Sequence, residues 1–254
     1  MAHSEKLIKK IVKWLKDQQK STESKGLVVG LSGGVDSSVV AVLAKRACPD
    51  HTLGVILPCT SDPQDQLHAE EVARVFNIRT VTVDLTHAFS VLYQQLQNLM
   101  NQEFPMKPDA LRIPMGNLKP RLRMMSLYFF ANALNSLVVG TGNKSETTMG
   151  YFTKFGDGGV DLLPLGGIMK TDVRLMAQLL GIPQVIIERP PTAGLWEGQT
   201  DEGEMGITYE ALDRVVHALE TKNTRSIPGK DLVKVRKAFE LTAHKRSQPV
   251  VFKS

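Results

Sequence analysis

Gly26-Leu27-Val28-Val29-Gly30-Leu31-Ser32-Gly33-Gly34-Val35-Asp36-Ser37-Ser38 is the stretch that decides the fold. Its first six residues form a short apolar run, which suits a strand buried on both faces. Two glycines then let the backbone turn sharply and approach a ligand closely. A helix is expected over residues 37–45, carried by Val39, Val40, Val42 and Leu43. A strand, a glycine turn and a helix N-terminus in that order form an anion cradle at the carboxyl end of a parallel strand. Ser32, Ser37 and Ser38 add hydroxyl donors, and Asp36 beside a pyrophosphate suits a Mg²⁺ ligand. A Ser/Gly turn that merely caps a helix is the competing reading, and the strand–loop–helix setting weighs against it. The stretch matches neither the Walker A pattern, whose lysine it lacks, nor G-x-G-x-x-G.

Working outward, Leu7, Ile8, Ile11, Val12 and Leu15 space an opening amphipathic helix. Further strands are expected over 52–57, 79–83 and 137–140. Helices fall between them: one opened by Asp62-Pro63 and running to about Phe76, one over 88–103 and one over 119–134. Pro105, Pro108 and Pro114 mark a loop before the last of these. The alternation implies an α/β fold, a single-domain open parallel sheet flanked by helices, with right-handed crossovers. Beyond Gly140 the pattern weakens into a glycine-rich loop over 156–167, a helix over 170–180 and a Pro/Gly-rich acidic loop over 189–206. Two final helices are expected over 208–220 and 229–243, with Thr208 as N-cap and Ile207–Leu212 as a hydrophobic staple.

Composition excludes several classes. Of 254 residues, 42% are hydrophobic and 22% charged, enough for a packed core and too apolar for wholesale disorder. No apolar run reaches the roughly 18 residues of a membrane span, and the N-terminus lacks a secretory h-region. Cys48 and Cys59 fit no metal spacing or disulfide framework, so reduced thiols in a cytoplasmic protein are expected. The net charge of +5 favours anionic partners without singling out nucleic acid, and 6% aromatics supply few stacking platforms for single strands.

The second half carries three further segments. Gly140-Thr141-Gly142-Asn143-Lys144-Ser145-Glu146 follows the fourth strand, again at the carboxyl edge of the sheet. Glu146 there admits two readings of equal weight: a second carboxylate for the metal held by Asp36, or a solvated residue in a helix first turn. The 150–167 loop, containing Gly150-Tyr151-Phe152-Thr153-Lys154-Phe155-Gly156-Asp157-Gly158-Gly159-Val160-Asp161, is too glycine-rich for helix and too apolar for a solvated loop. Lys154 and Asp161 are its outreaching charges. Lys170 is a phosphate contact or a solvated lysine, and Thr171 reads as an N-cap. Pro190-Pro191-Thr192-Ala193-Gly194-Leu195-Trp196 places a tryptophan among turn formers, as in a mobile lid, an interface or a purely structural loop.

The 32–38 loop resembles the pyrophosphate-binding loop of the N-type ATP pyrophosphatases, an adenine nucleotide alpha hydrolase-like, Rossmann-like fold. Together with Lys119-Pro120-Arg121-Leu122-Arg123-Met124, the GTGNKSE segment, the YFTKFGDGG and PPTAGLW loops and terminal His244-Lys245-Arg246, it resembles the ammonia-dependent NAD synthetases in particular. The resemblance runs from the loop nearly to the C-terminus. It implies amidation of deamido-NAD by ammonia through an adenylated dinucleotide, giving NAD, AMP and pyrophosphate. It places ATP on Gly30, Leu31, Ser32, Gly33, Gly34, Val35, Asp36 and Ser37, with Thr141, Lys170 and Thr192 as further contacts. It places Mg²⁺ on Asp36 and Glu146, and names Asp36, Glu146 and Lys170 as the catalytic set. It places deamido-NAD on Arg121, Lys154, Asp161, His244 and Lys245. By residue type alone, Arg121 lies in a solvated basic stretch and His244 is a helix-end histidine.

The resemblance also implies a homodimer with the dinucleotide site at the subunit interface. The N-terminal helix and the methionine-rich 119–134 helix are its candidate surfaces, and core packing explains both equally well. Competing readings are a GMP synthetase-like ligase, which leaves YFTKFGDGG and PPTAGLW unexplained, a tRNA-modifying enzyme, which calls for a clustered basic arm, and a nucleotide-binding regulator without catalysis. One domain over residues 1–254 is expected, without a glutaminase or nitrilase-type domain, so ammonia is expected as the nitrogen donor.

Overall fold

The structure is a computed structural model and describes residues 2–104 and 107–252. Helix α1 (Ala2–Ser21) leads into β1 (Gly26–Leu31), α2 (Val35–Ala47), β2 (Thr52–Ile56), α3 (Pro63–Val75), β3 (Arg79–Thr82) and α4 (Thr86–Glu103). A 3-10 turn (Pro108–Leu111), α5 (Arg112–Ala133), β4 (Ser136–Val139), α6 (Lys144–Met149), α7 (Lys170–Leu180), α8 (Gln184–Glu188), α9 (Asp201–Met205), α10 (Tyr209–Glu220), α11 (Gly229–Leu241) and α12 (Ala243–Arg246) follow.

The four strands form one parallel sheet in the order β3-β2-β1-β4. The chain moves outward from β1 to β3 and then returns to the other side of β1. The carboxyl ends of β1 and β4 therefore flank the point where strand order reverses, where open α/β sheets bind ligands. Residues 161–162 extend the sheet beyond β4, with Leu162 bridging Val139 and Asp161 Oδ2 accepting from Val138 N at 2.8 Å.

Period-two alternation in β1 sorts its side chains between two cores. Leu27, Val29 and Leu31 pack with α1, α2 and α7, while Val28 packs with Leu53, Val55 and Phe89 beneath α4 and α5. Ile8, Ile11 and Leu15 of α1 are buried in the first of these cores. The helical stripe seen in the sequence is thus internal packing, not an interface. A third core joins Met149, Met205, Ile207, Tyr209, Leu212, Val215, Val216 and Val235, the last on α11.

The expected strands and long helices are present with ends shifted by a few residues at most, with one exception. Helix α5 begins at Arg112 and runs through both Pro114 and Pro120, where a loop was expected up to residue 118. Pro114 lies in the first turn, where its missing N–H has no helical acceptor to lose. Pro120 costs one hydrogen bond to Gly116 and is buried against the site. Pro105 lies outside the described residues. Asp62 caps α3 by accepting from Gln64 N at 2.9 Å, and Thr208 caps α10 by accepting from Ala211 N at 3.3 Å. Thr171 is not a cap: Met169 holds that position of α7, and Thr171 N and Oγ1 both donate to Asp213 Oδ2.

Candidate active site

A cavity of about 650 Å³ lies at the carboxyl ends of β1 and β4. The loop after β1 forms its floor. Helix α2 starts without a side-chain cap, so its first amides and the positive end of its dipole are free for an anion. Gly30, Leu31, Ser32, Gly34, Val35, Asp36 and Ser37 line the cavity, as do Thr141, Lys170 and Thr192. Gly33 shapes the turn from behind at φ +78°, where a Cβ would stand 2.2 Å from the Asp65 carbonyl oxygen. Gly33→Ala is therefore expected to lower stability by more than about 2 kcal/mol, through left-handed strain plus a backbone clash. Thermal denaturation checks this, and a wild-type melting temperature would contradict it. Ser38 is fully buried and spends its hydroxyl on the Gly34 carbonyl at 2.8 Å, so it is a turn brace and not a donor to ligand.

The loop after β4 meets this floor through a short, strongly capped helix. Asn143 Oδ1 accepts from Glu146 N at 3.0 Å while Asn143 N donates to Glu146 Oε2 at 3.2 Å, a capping box. Asn143 Nδ2 also donates to Asp36 Oδ1 at 3.1 Å and so ties the two loops together. Glu146 stands in the first turn of α6, but partly buried and not solvated: Oε2 accepts from Asn143 N, and Oε1 faces the cavity beside Lys170. Lys170 Nζ, only 2% exposed, donates to Asp36 Oδ2 and to Glu146 Oε1, the latter at 3.3 Å. Two carboxylates converging on one cationic atom are a donor set that suits a hard dication sharing phosphate oxygens. Among the described residues no group of three His, Cys, Asp or Glu side chains converges in that way. Burial pushes the Glu146 carboxyl up to about 7, against the pull of the Lys170 ammonium. The two carboxylates raise Lys170 above the usual lysine range despite burial, so it stays charged.

Behind these residues lies a buried polar layer that sequence reasoning missed. Tyr209, fully buried, donates to Asp201 Oδ2 at 2.8 Å, and its hydroxyl lies 3.3 Å from Glu146 Oε1. Its ring lies under the Lys170 ammonium at 4.9 Å. Burial raises the Asp201 carboxyl, opposed by the Tyr209 hydroxyl. Asp213 receives Ser145 Oγ and both Thr171 donors, and Ser145 Oγ accepts Lys170 N at 3.0 Å. One carboxylate thus fixes the starts of α6 and α7, and with them Glu146 and Lys170. The usable signal was the charged pattern on α10, whose Asp213 falls among Leu212, Val215 and Val216 on the buried side.

The 189–200 segment covers the cavity. Arg189 pairs with Asp65 and Asp62, Lys119 Nζ donates to Leu195 O at 2.7 Å, and the Arg112 guanidinium stacks 4.6 Å from the Trp196 ring. Gly116 makes room for that ring, since a Cβ there would come within 2.9 Å of it. The tryptophan loop is therefore a cover docked on α5.

The residues expected for the second nucleotide divide. Lys245 lines the cavity and donates to the Gly150 and Phe152 carbonyls, both at 2.8 Å. Lys154 lies outside it and donates to the carbonyls of His244 and Ser247. Arg121 is exposed and donates to Lys154 O at 3.4 Å, while the His244 ring is exposed. Asp161 is spent on Val138 N and on the Tyr128 hydroxyl at 3.0 Å. Arg123, two residues from Arg121, does line the cavity, donating to Leu57 O at 3.1 Å and Ser61 Oγ at 3.0 Å.

The family model described as NAD synthase matches residues 7–249. The chain is 49% identical over 209 residues to the NH(3)-dependent NAD(+) synthetase of Carboxydothermus hydrogenoformans, covering 82% of this chain and 84% of that protein. It is 42% identical over 245 residues to the NH(3)-dependent NAD(+) synthetase of Alkaliphilus oremlandii, covering 96% of each. Among solved structures it is similar to an NMN synthetase from Francisella tularensis, with a TM-score of 0.89, 35% identity and 99% of both chains covered.

Proposed function

The chain belongs to the NAD synthase family, and from that premise we propose that it amidates the nicotinate carboxylate of deamido-NAD with ammonia, at the expense of ATP. The observation that carries the reading is the convergence of Asp36, Glu146 and Lys170 at the strand-order reversal, tied together by Asn143. A carboxylate is a poor electrophile until its oxygen is converted to a leaving group. Attack of that oxygen on the α-phosphorus of ATP gives an acyl-adenylate and pyrophosphate. Ammonia then adds to the carbonyl and AMP departs, leaving the amide of NAD. The chain needs no side-chain nucleophile for this, and its contribution is positioning and charge stabilisation. The α2 amides and Lys170 receive the charge that builds on pyrophosphate. Asp36 and Glu146 would hold Mg²⁺, which supplies further neutralisation of the phosphates.

Of the residues expected for the second nucleotide only Lys245 lines the cavity, and Arg121, Lys154, Asp161 and His244 lie outside it, which supports a homodimer. Arg121, Met125 and Phe129 recur at helical spacing on α5, with Met125 60% and Phe129 69% exposed, and Leu99 of α4 is 56% exposed. Lys154 lies beside Arg121. Pairing of two copies over this face would bring these cations to a dinucleotide site at the interface. Phe129→Glu is expected to give monomers in sedimentation at micromolar concentration. A wild-type dimer in that variant would move the interface elsewhere. No helix among the described residues is long and apolar enough to cross a membrane. The reading makes the chain a cytoplasmic enzyme that handles ATP, deamido-NAD and ammonia, with no nucleic acid among its partners. The 254 residues act as one NAD synthetase domain.

The similarity to an NMN synthetase supports a second reading, in which nicotinic acid mononucleotide is the acceptor. Both acceptors present the same carboxypyridine riboside phosphate and differ in the adenylyl half. Measuring kcat/KM for each with ATP, Mg²⁺ and ammonium separates them. Preference for deamido-NAD is expected, and preference for the mononucleotide would overturn the first reading in favour of the second.

A further inference from the structure

We propose that Asp213 is a positioning residue for the reaction: its one carboxylate sets Glu146 and Lys170 at a fixed separation on the cavity wall. This rests on the amidation reading above and adds to it what holds the charged cluster in shape. Asp213 is 4% exposed and stands behind the cavity wall without lining it, so it acts through other residues. Its Oδ1 accepts from Ser145 Oγ, and its Oδ2 accepts from Thr171 N at 2.9 Å and from Thr171 Oγ1 at 2.8 Å. Ser145 precedes Glu146 in the chain, and Thr171 follows Lys170. Each working side chain is therefore one peptide away from a group bonded to the same anion. Ser145 Oγ also accepts from Lys170 N at 3.0 Å, which joins the two helix starts directly.

Neither helix can fix its own start. Helix α6 has six residues, too few for its backbone bonds alone to hold it. Helix α7 has no side-chain cap, so its first amides need acceptors from elsewhere. Ser145 Oγ takes the amide of Lys170, and Asp213 takes that of Thr171. A carboxylate in that place also meets the positive end of the α7 dipole. Its support is firm, because α10 is capped by Thr208, packs against both α6 and α7, and carries Leu212, Val215 and Val216 into the third core. The cluster itself is assembled from three elements, with Asp36 on α2, Glu146 on α6 and Lys170 on α7. Without the Asp213 bonds, the starts of α6 and α7 are free to shift against each other. A displacement of about 1 Å among groups that position a reaction can cost on the order of 10² in rate.

The test uses the full-length protein and measures Mg-ATP binding by calorimetry without acceptor, beside steady-state amidation of deamido-NAD. Stoichiometry reports the folded fraction, and Kd reports the geometry of the site. Asp213→Asn keeps the side chain's shape but turns an NH₂ toward Ser145 or Thr171, which are themselves donors. Its stoichiometry is expected to stay at the wild-type value, while Kd weakens about tenfold and kcat falls about ten- to a hundredfold. Thr171→Val and Ser145→Ala each remove one bond to Asp213 and are expected to weaken Kd by about threefold or more. These two variants decide the matter if Asp213→Asn does not fold. Val216→Ala, on the same helix but within the third core, is expected to lower the melting temperature and leave Kd unchanged. A wild-type Kd in the folded network variants would overturn the proposal. An equal loss of Mg-ATP affinity in Val216→Ala would overturn it too, because Asp213 would then act through stability alone. A wild-type protein that binds Mg-ATP but leaves deamido-NAD unconverted would instead refute the amidation reading, with the role of Asp213 still decided by the binding data.

Discussion

Replacing Asp36 with asparagine is expected to lower kcat/KM for Mg-ATP by about a thousandfold or more while leaving the protein folded. Asp36 stands in the first turn of α2, on the loop that would carry the pyrophosphate, and is the shared partner of Asn143 and Lys170. Asparagine keeps one acceptor oxygen, enough for the Asn143 or the Lys170 contact but not both, and loses the charge that a dication requires. Removing one preorganised electrostatic contact in a water-poor site typically costs 10²–10³ in rate, and here the same change also weakens the metal. Lys170 keeps Glu146 as a counter-ion, so one ion pair survives in the buried cluster. Circular dichroism and coupled detection of AMP check the two halves separately. Near-normal turnover would show that Asp36 holds no metal.

Lys170→Met has the larger structural effect. The ammonium is buried, and its removal leaves the Asp36 and Glu146 carboxylates facing each other without a cation. Breaking a buried ion pair by deleting one partner typically costs about 3–5 kcal/mol. For a chain of this size that corresponds to a drop in melting temperature on the order of 10 °C. The methionine fills most of the lysine stem's volume, so lost packing accounts for little of the change. Mg²⁺ alone is expected to restore part of the stability of this variant, by placing a dication between the two carboxylates. A variant as stable as the wild type without Mg²⁺ would mean that the three groups do not form a charged cluster.

The sequence made the sheet and its nucleotide loop readable because their signals are local. A run buried on both faces, from Gly26 to Leu31, followed by Ser32-Gly33-Gly34, permits few other structures. Asp62-Pro63 announced α3 for the same reason, with cap and N1 proline adjacent. Helix α5 was read late because Pro105, Pro108 and Pro114 mark a loop, although Pro114 sits in a harmless first turn; Pro120, already inside the expected helix, gives up one hydrogen bond at the cavity wall. Asp201, Tyr209 and Asp213 were missed because their burial depends on α6, α7, α9 and α10 meeting across long sequence separations. Within their own segments they look like an acidic loop and ordinary helix positions. Asp161, read as an outreaching charge, is exposed as expected, and its oxygens also accept from Val138 N at the sheet edge and from the Tyr128 hydroxyl, contacts its own segment does not announce.

The central claim is that the acceptor carboxylate attacks the α-phosphorus of ATP. Isotope transfer tests it most directly. Deamido-NAD carrying ¹⁸O in both nicotinate carboxylate oxygens should deliver one label to AMP and keep the other in the carboxamide of NAD, with pyrophosphate unlabelled. Unlabelled AMP, or ADP accompanied by labelled inorganic phosphate, would contradict the account.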